Sequence, residues 1–342
     1  MTILLFSANT INVGADLQAM SSTVNLLAPS LPYQLVAISF ALITLILLIL
    51  LPYRTYCRFL KYTTFTLFAY VIVAFFVHAD WPAVFRNLFV PTLSSDPTYL
   101  MALVGVLGTT ISPYMFFWQA NEEVEEEISQ GIIRKDTPEA THLNLLHSDP
   151  QMLRDMRIDV GSGMLYSQII MFFIIVATAS TLYTSGAASS VSNLSLTQLA
   201  NVLQPLVGDT AFFLFTLGII GTGLLAIPVL AGSASYAVSE LFGWEEGLNK
   251  KFHEAKGFYI VIVISTVIGL SMNALGISPV SALFYTAIIN GVVAVPILLI
   301  IWRIGNNRKI LGEHTSGFLS NFFMGITFLI MAVAAIAMFI LH

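Results

Sequence analysis

The densest chemistry in the chain lies in Gly108-Thr109-Thr110-Ile111-Ser112-Pro113-Tyr114. Proline has no N–H to give to the carbonyl four residues back, and its ring crowds that carbonyl. Pro113 inside a helix therefore leaves the C=O of Thr109 without its helical partner. Two threonines and a serine stand in the same turn. Carbonyl and hydroxyl oxygens together suit Mg, Ca or Mn rather than Cu or Zn. A helix ending at this point also aims the negative end of its dipole at the spot, which favours a cation. The residues admit two readings. One is a cation site at Thr109 and Ser112, with Thr110, Ile111 and Pro113 forming a helix break. The other is a proline kink whose freed groups are repaired by the neighbouring Ser and Thr side chains.

Other polar residues fall at helical spacings. Asn9, Asn12 and Asp16 are three and four residues apart and share one helix face. An ionised side chain at a bilayer centre costs roughly 2.5–3.5 kcal/mol on insertion scales. Of the 19 acidic residues, Asp16 alone lies well inside an apolar segment. It is a candidate cation ligand, proton carrier or structural hydrogen-bond acceptor. Gly105, Thr109, Ser112, Phe116 and Gln119 recur on one face of their helix, which predicts a shared lining. Thr286 and Asn290, four apart, form another pair. Asn290 has a carbonyl oxygen to lend to an ion, or serves as an interhelical amide. Gly218, Gly221 and Gly223 are no phosphate loop, since no strand precedes them and no Lys follows; they predict a close-packing face. The run Glu122-Glu123-Val124-Glu125-Glu126-Glu127 reads as a solvated helical extension or as an acidic mouth that concentrates cations. All 6 histidines fall in loops or at segment ends, so no intramembrane His ligand set and no Ser/His/Asp arrangement is visible, and an enzyme is not expected.

The elements that must position these residues are membrane helices. With 57% hydrophobic and 10% charged residues, and a mean hydropathy of +0.84, the chain is polytopic. A single cysteine, Cys57, excludes an intramolecular disulfide and a Cys-based metal cluster. Using about 20 apolar residues per crossing, about nine spans are predicted near 2–27, 32–52, 59–79, 98–121, 160–183, 209–242, 257–274, 278–303 and 317–341. The sixth is long and carries Pro228, so a kink, a tilt or a projection into water is expected. Arg54, Arg58, Lys61, Arg134, Lys135, Arg154, Arg157, Lys250, Lys251, Lys256, Arg303, Arg308 and Lys309 flank alternating loops, leaving only Arg86 on the other side. By the positive-inside rule the N-terminus is cytoplasmic and the C-terminus outside, with the Ser/Thr/Ala-rich stretch 183–208 also outside. Met1 is followed at once by Thr2-Ile3-Leu4-Leu5-Phe6, which is no secretory signal peptide. The chain reads as starting inside a bundle.

Three stretches carry a resemblance: Asn9-Thr10-Ile11-Asn12-Val13-Gly14-Ala15-Asp16-Leu17; Gly108 to Tyr114 with Phe116-Phe117-Trp118-Gln119 and the acidic run; and Gly218-Ile219-Ile220-Gly221-Thr222-Gly223. They resemble the natural resistance-associated macrophage protein (Nramp) family of divalent metal transporters, in particular its bacterial Nramp-related branch, along essentially the whole chain. The resemblance implies an all-α, LeuT-type inverted-repeat bundle within a single transmembrane domain, 1–342, with ions bound where the first helix of each repeat is broken. The nine spans then match family helices three to eleven. Residues 1–97 form a partial first repeat, 98–303 the second, and 317–341 an extra C-terminal helix. The chain is thus expected to be N-terminally truncated, without the family's Asp-Pro-Gly motif on helix one.

Thr109 matches the position whose backbone carbonyl binds metal in the family, and Asp16 the acidic residue on its third helix. Where the family usually has Met-Pro-His, this chain has Ser112-Pro113-Tyr114. Loss of the methionine thioether implies weaker discrimination against Mg and Ca. Ser112 is also placed to hold a water of a partly hydrated ion, which Mg retains readily. Tyr114 and Gln119 replace histidines linked to proton movement; neither titrates near neutral pH, which argues against proton coupling through them. The expected function is secondary transport of divalent cations, Mg or Mn rather than Fe, across the cytoplasmic (inner) membrane. The expected partners are the ion, the lipid bilayer and a separately encoded N-terminal segment, with no nucleic acid and no cofactor. The alternatives are a non-transporting remnant or subunit of a split transporter, and a LeuT-fold carrier of a small organic solute.

Overall fold

The computed structural model describes residues 2–341 apart from 52, 78, 91, 93, 130, 132–149, 181–195 and 273–277. Arg134, Lys135, His78, His142, His147, His342 and part of the stretch 183–208 lie outside the described residues. The described chain is helical: α1 (Thr2–Leu27), α2 (Tyr33–Leu50), α3 (Tyr53–Thr63), a 3-10 segment (Thr64–Leu67), α4 (Phe68–Phe76), α5 (Trp81–Phe89), α6 (Pro97–Thr110), α7 (Pro113–Ser129), α8 (Pro150–Thr178), α9 (Leu196–Phe242), α10 (Lys256–Ser271), α11 (Pro279–Gly305), α12 (Arg308–Leu311) and α13 (Phe318–Leu341).

Seven helical stretches among the described residues are long and apolar enough to cross a membrane: Tyr33–Leu50, Thr55–Phe76, Pro97–Ile128, Leu153–Thr178, Phe213–Phe242, Pro279–Gly305 and Phe318–Ile340. The other two expected spans fall short for identifiable reasons. Helix α10 is apolar but has only 16 residues. Helix α1 has the length but is punctuated by Asn9, Thr10, Asn12, Asp16, Gln18, Ser21 and Thr23. Its polar groups survive because the helix is surrounded by protein: Asn9, Val13, Ala15, Leu17, Met20 and Ser21 are all buried.

Several boundaries differ from the sequence expectation. Helix α8 starts at Pro150, so Arg154 and Arg157 stand on a helix rather than in a loop. Helix α9 starts at Leu196, inside the stretch read as an outside loop, and runs 47 residues. Two further elements were not expected. The third span is interrupted by the 3-10 segment, where Thr63, Thr64 and Thr66 hydroxyls donate to the carbonyls of Phe59, Leu60 and Thr63. Back-bonding of this kind competes with the α-helical ladder. The loop after that span carries the short helix α5.

The chain divides into two compact units that interleave in sequence. The first comprises 1–8, 94–161 and 284–342. Here α6 packs on α13, and Val104, Ile288, Ala334 and Met338 form a core with Leu107 and Val292 against it. Leu107 also joins a second cluster of Ala294, Leu298 and Met331, to which Ile111 and Phe116 are applied. At the far end, Trp302 Nε1 and Asn306 Nδ2 both donate to Asn321 Oδ1, at 2.8 and 2.7 Å, and Asn321 Nδ2 returns a bond to Asn306 Oδ1 at 2.9 Å.

The second unit comprises 9–93 and 162–283. Helices α1 and α10 cross so closely that a Cβ on Gly269 would lie 2.8 Å from Gly14 N. One turn earlier on both helices, the Thr10 and Ser265 hydroxyls share a hydrogen bond of 2.9 Å. The glycines of α9 are a packing face, as their lack of a phosphate-loop context suggested. Gly218 receives the Tyr70 ring, Gly221 the Thr66 side chain and Gly223 the Met20 thioether. Small residues let membrane helices approach and gain van der Waals contact, which stands in for the weak hydrophobic drive between helices in lipid.

Candidate functional site

The break between α6 and α7 occupies Ile111 and Ser112. Helix α6 begins on the Asp96 carboxylate, which accepts from the N–H groups of Thr98 and Tyr99. It closes with Ile111 N donating to Leu107 O at 2.9 Å. Pro113 is then the first residue of α7, not an interior residue of one continuous helix. At a first helical position the missing N–H removes no intrahelical bond and the fixed φ suits the helix. The proline therefore starts a new helix more than it kinks an old one.

The two readings of this turn turn out to describe the same atoms. Ser112 Oγ donates to Thr109 O at 2.8 Å and lies 3.1 Å from Gly108 O, so one buried hydroxyl serves both carbonyls left at the end of α6. Thr109 and Thr110 hydroxyls both donate to Val106 O, each at 2.8 Å. Repair and donor set are not exclusive. A hydroxyl that spends its proton on a carbonyl keeps its lone pairs, and a carbonyl that accepts one bond keeps a second lone pair. The break thus gathers neutral oxygen acceptors at the negative end of the α6 dipole.

Helix α11 forms the wall of this region. A Cβ on Gly108 would run into Ala287 O and the backbone of Gly291, so the two helices touch through their main chains. Asn290, buried, is the immediate neighbour of Gly291, and Thr286, fully buried, is one turn earlier. Thr109, Ser112 and Asn290 thus belong to one unit, on two helices that touch at Gly108 and Gly291. Thr109 is exposed and Ser112 buried.

The predicted common lining of Gly105, Thr109, Ser112, Phe116 and Gln119 was counted along one continuous helix, which is interrupted between Thr110 and Pro113. The break resets the helical phase: Gly105 and Ser112 are buried, Thr109 and Gln119 are exposed, and Phe116 packs into the Ala294–Met331 cluster. Tyr114 is half-buried on the first turn of α7. Asn12 and Asp16 belong to the other unit, where Asn12 is buried and Asp16 half-buried on α1. On the same helix, Asn9 Nδ2 donates to Leu230 O at 3.2 Å, while its buried Oδ1 has no partner among the described residues. Sequence reasoning missed the contact of Gly108 with Gly291. The signal present was a glycine beside the Asn290 already singled out.

No group of three or more His, Cys, Asp or Glu residues capable of holding a metal occurs among the described residues. The donors at the break are neutral hard oxygens, so an ion there keeps a large share of its own water.

Two comparisons bear on what such a break serves. The family described as natural resistance-associated macrophage protein-like (Nramp) matches residues 1–341. The divalent metal cation transporter MntH of Deinococcus radiodurans is 27% identical over 167 residues, 48% of this chain and 34% of that protein. The match spans about a third of that curated relative's length.

Proposed function

The chain belongs to the Nramp-like family, and on that premise we propose that it carries divalent metal cations, Mg or Mn rather than Fe, at the break between α6 and α7. Membership makes it an all-α integral membrane protein of LeuT-type fold, and a transporter rather than an enzyme.

The observation that carries the reading is the Ser112 hydroxyl lying over Thr109 O and Gly108 O. Where the family resemblance implies a thioether, an oxygen stands. Hard oxygens favour Mg and Mn, and a thioether favours softer metals. The ion contacts assigned are the Thr109 carbonyl, the Ser112 hydroxyl and the side-chain oxygen of Asn290, with water completing the shell. Neither Tyr114 nor Gln119 titrates near neutral pH, so transport through this route proceeds without proton release or uptake at those positions. The assigned setting is a cell membrane with the N-terminus cytoplasmic, on the distribution of Lys and Arg. The name of the curated relative supports the substrate class, over the part of the chain it matches.

The test is Mn uptake into proteoliposomes containing the purified chain, with Mg and Ca as competitors and a pH dye inside. Competition by Mg without acidification of the lumen is expected. Uptake that Mg leaves untouched would overturn the assignment to hard ions, and a lumen that acidifies with Mn entry would overturn the uncoupled route.

A further inference from the structure

Helix α5 is too short to cross a bilayer: nine residues at 1.5 Å each span about 14 Å. It is nonetheless a well-made helix. Asp80 caps it through Ala83 N at 3.2 Å, and Pro82 stands in its first turn. Its apolar residues Trp81, Val84, Phe85, Leu88 and Phe89 follow the spacing i, i+3, i+4, i+7, i+8, which gathers them on one face. Arg86 and Asn87 fall on the other.

No residue of α5 is buried. Phe85, Leu88 and Phe89 are 51%, 54% and 79% exposed, a contiguous apolar patch of the kind that marks a protein or membrane contact. The N-terminal end is nevertheless fixed to the bundle. The Trp81 ring lies 5.8 Å from Phe75 of α4 and 6.5 Å from Phe173 of α8, centroid to centroid. Phe75 and Phe76, the last residues of α4, are themselves exposed, as are Phe68 and Ile72 on the same span. The apolar face of α5 therefore continues the lipid-facing flank of a membrane helix at the point where the chain leaves the bilayer. Helices of this pattern lie in the interface, with aromatic side chains at the headgroup level and a cationic residue reaching to phosphate.

We propose that α5 is an interfacial helix whose Val84–Phe89 face is seated in the lipid headgroup and acyl boundary beside α4, with Arg86 directed to lipid phosphate. The occupant of the exposed face is phospholipid, not a second copy of the chain or a soluble partner. This seat ties the end of the third span to the membrane surface.

Cys57 is the sole cysteine, so a Cys57→Ser background accepts single reporter cysteines. Nitroxide labels at Phe85→Cys, Phe89→Cys, Arg86→Cys and Asn87→Cys, in the full chain in phosphatidylglycerol-containing proteoliposomes, are compared for relaxation by oxygen and by a water-soluble nickel chelate. The proposal expects oxygen to dominate at 85 and 89 and nickel at 86 and 87. High nickel access at all four positions, meaning a helix in water, would overturn it. Exclusion of both reagents at 85 and 89, meaning a face covered by protein, would overturn it equally. Brominated phospholipid gives a second readout that needs no label: bromine near the headgroup should quench the fluorescence that Trp81→Phe removes, and an unquenched Trp81 contribution contradicts the seat.

Discussion

Gly291 meets α6 at its last turns: a Cβ placed on it would lie 2.6 Å from Val104 O and 3.4 Å from the Cα of Gly108. Two glycines on different helices thus bring main chain against main chain one residue from both Thr109 and Asn290. Shape, rather than charge, holds the break in register with α11.

That contact predicts opposite outcomes for two glycines on the same helix. Gly108→Ala drives a methyl into backbone atoms that cannot swing aside, an overpacking cost of about 1–3 kcal/mol. Gly105→Ala adds a methyl 3.7 Å from Ala287 Cβ and Ile288 Cγ1, ordinary contact, and gains helix propensity of up to about 1 kcal/mol. Thermal unfolding in detergent should show the first variant melting lower than the parent and the second no lower. Equal melting of the two would mean the close approach is not real.

Ser112 separates repair from selectivity. Ser112→Ala removes a donor from two carbonyls and should cost about 1 kcal/mol of stability, seen as a lower melting temperature. Ser112→Met replaces a hard oxygen with a thioether and should shift competition in uptake toward Mn and Cd over Mg. An unchanged selectivity series in the methionine variant removes Ser112 from the ion path and leaves it as a cap.

Asp16 is tested by its isostere. Asp16→Asn keeps the shape and one acceptor oxygen, exchanges the other for an amide donor, and removes the ionisable group from α1. Reduced uptake at constant expression is expected if Asp16 acts electrostatically on the ion. Uptake and apparent affinity equal to the parent assign it to packing alone.

How far the sequence reached differs from element to element. The break was legible because Pro113, Ser112 and two threonines each have a local preference that opposes a continuous helix, and local preferences need no knowledge of partners. The phase across the break was not legible, since a 100° periodicity carried through Ile111 and Ser112 assumes the helix that those residues end. Helix α1 was legible as a helix with a polar stripe, and those polar residues, tolerated because the middle of the helix is buried, are why it is not apolar enough to count as a span. Which small residues meet, as Gly14 meets Gly269 and Gly108 meets Gly291, is a property of pairs of helices and is invisible to periodicity in one. Helix α5 escaped because a window of about 20 residues averages its nine with the polar loop around them.

The Asn306–Asn321 pair predicts a stability effect away from the ion. Asn321→Leu leaves Trp302 Nε1 and an amide of Asn306 without the oxygen they share, a cost of about 0.5–1.5 kcal/mol at these half-buried and exposed positions. Loss of thermal stability is expected with the order of ion preference intact. A changed ion preference would mean that the α11–α13 end communicates with the break.

The proposed ion site consists of neutral oxygens at the Ile111–Ser112 break. Mn binding to the purified chain, followed by the loss of the free-ion electron paramagnetic resonance signal and displaced by Mg, tests it most directly when the parent is compared with Ser112→Ala. One lost oxygen ligand worth about 1 kcal/mol predicts a Kd for Mn raised about fivefold. A Kd for Mn and a displacement by Mg identical in parent and variant would contradict the account and move the ion away from the break.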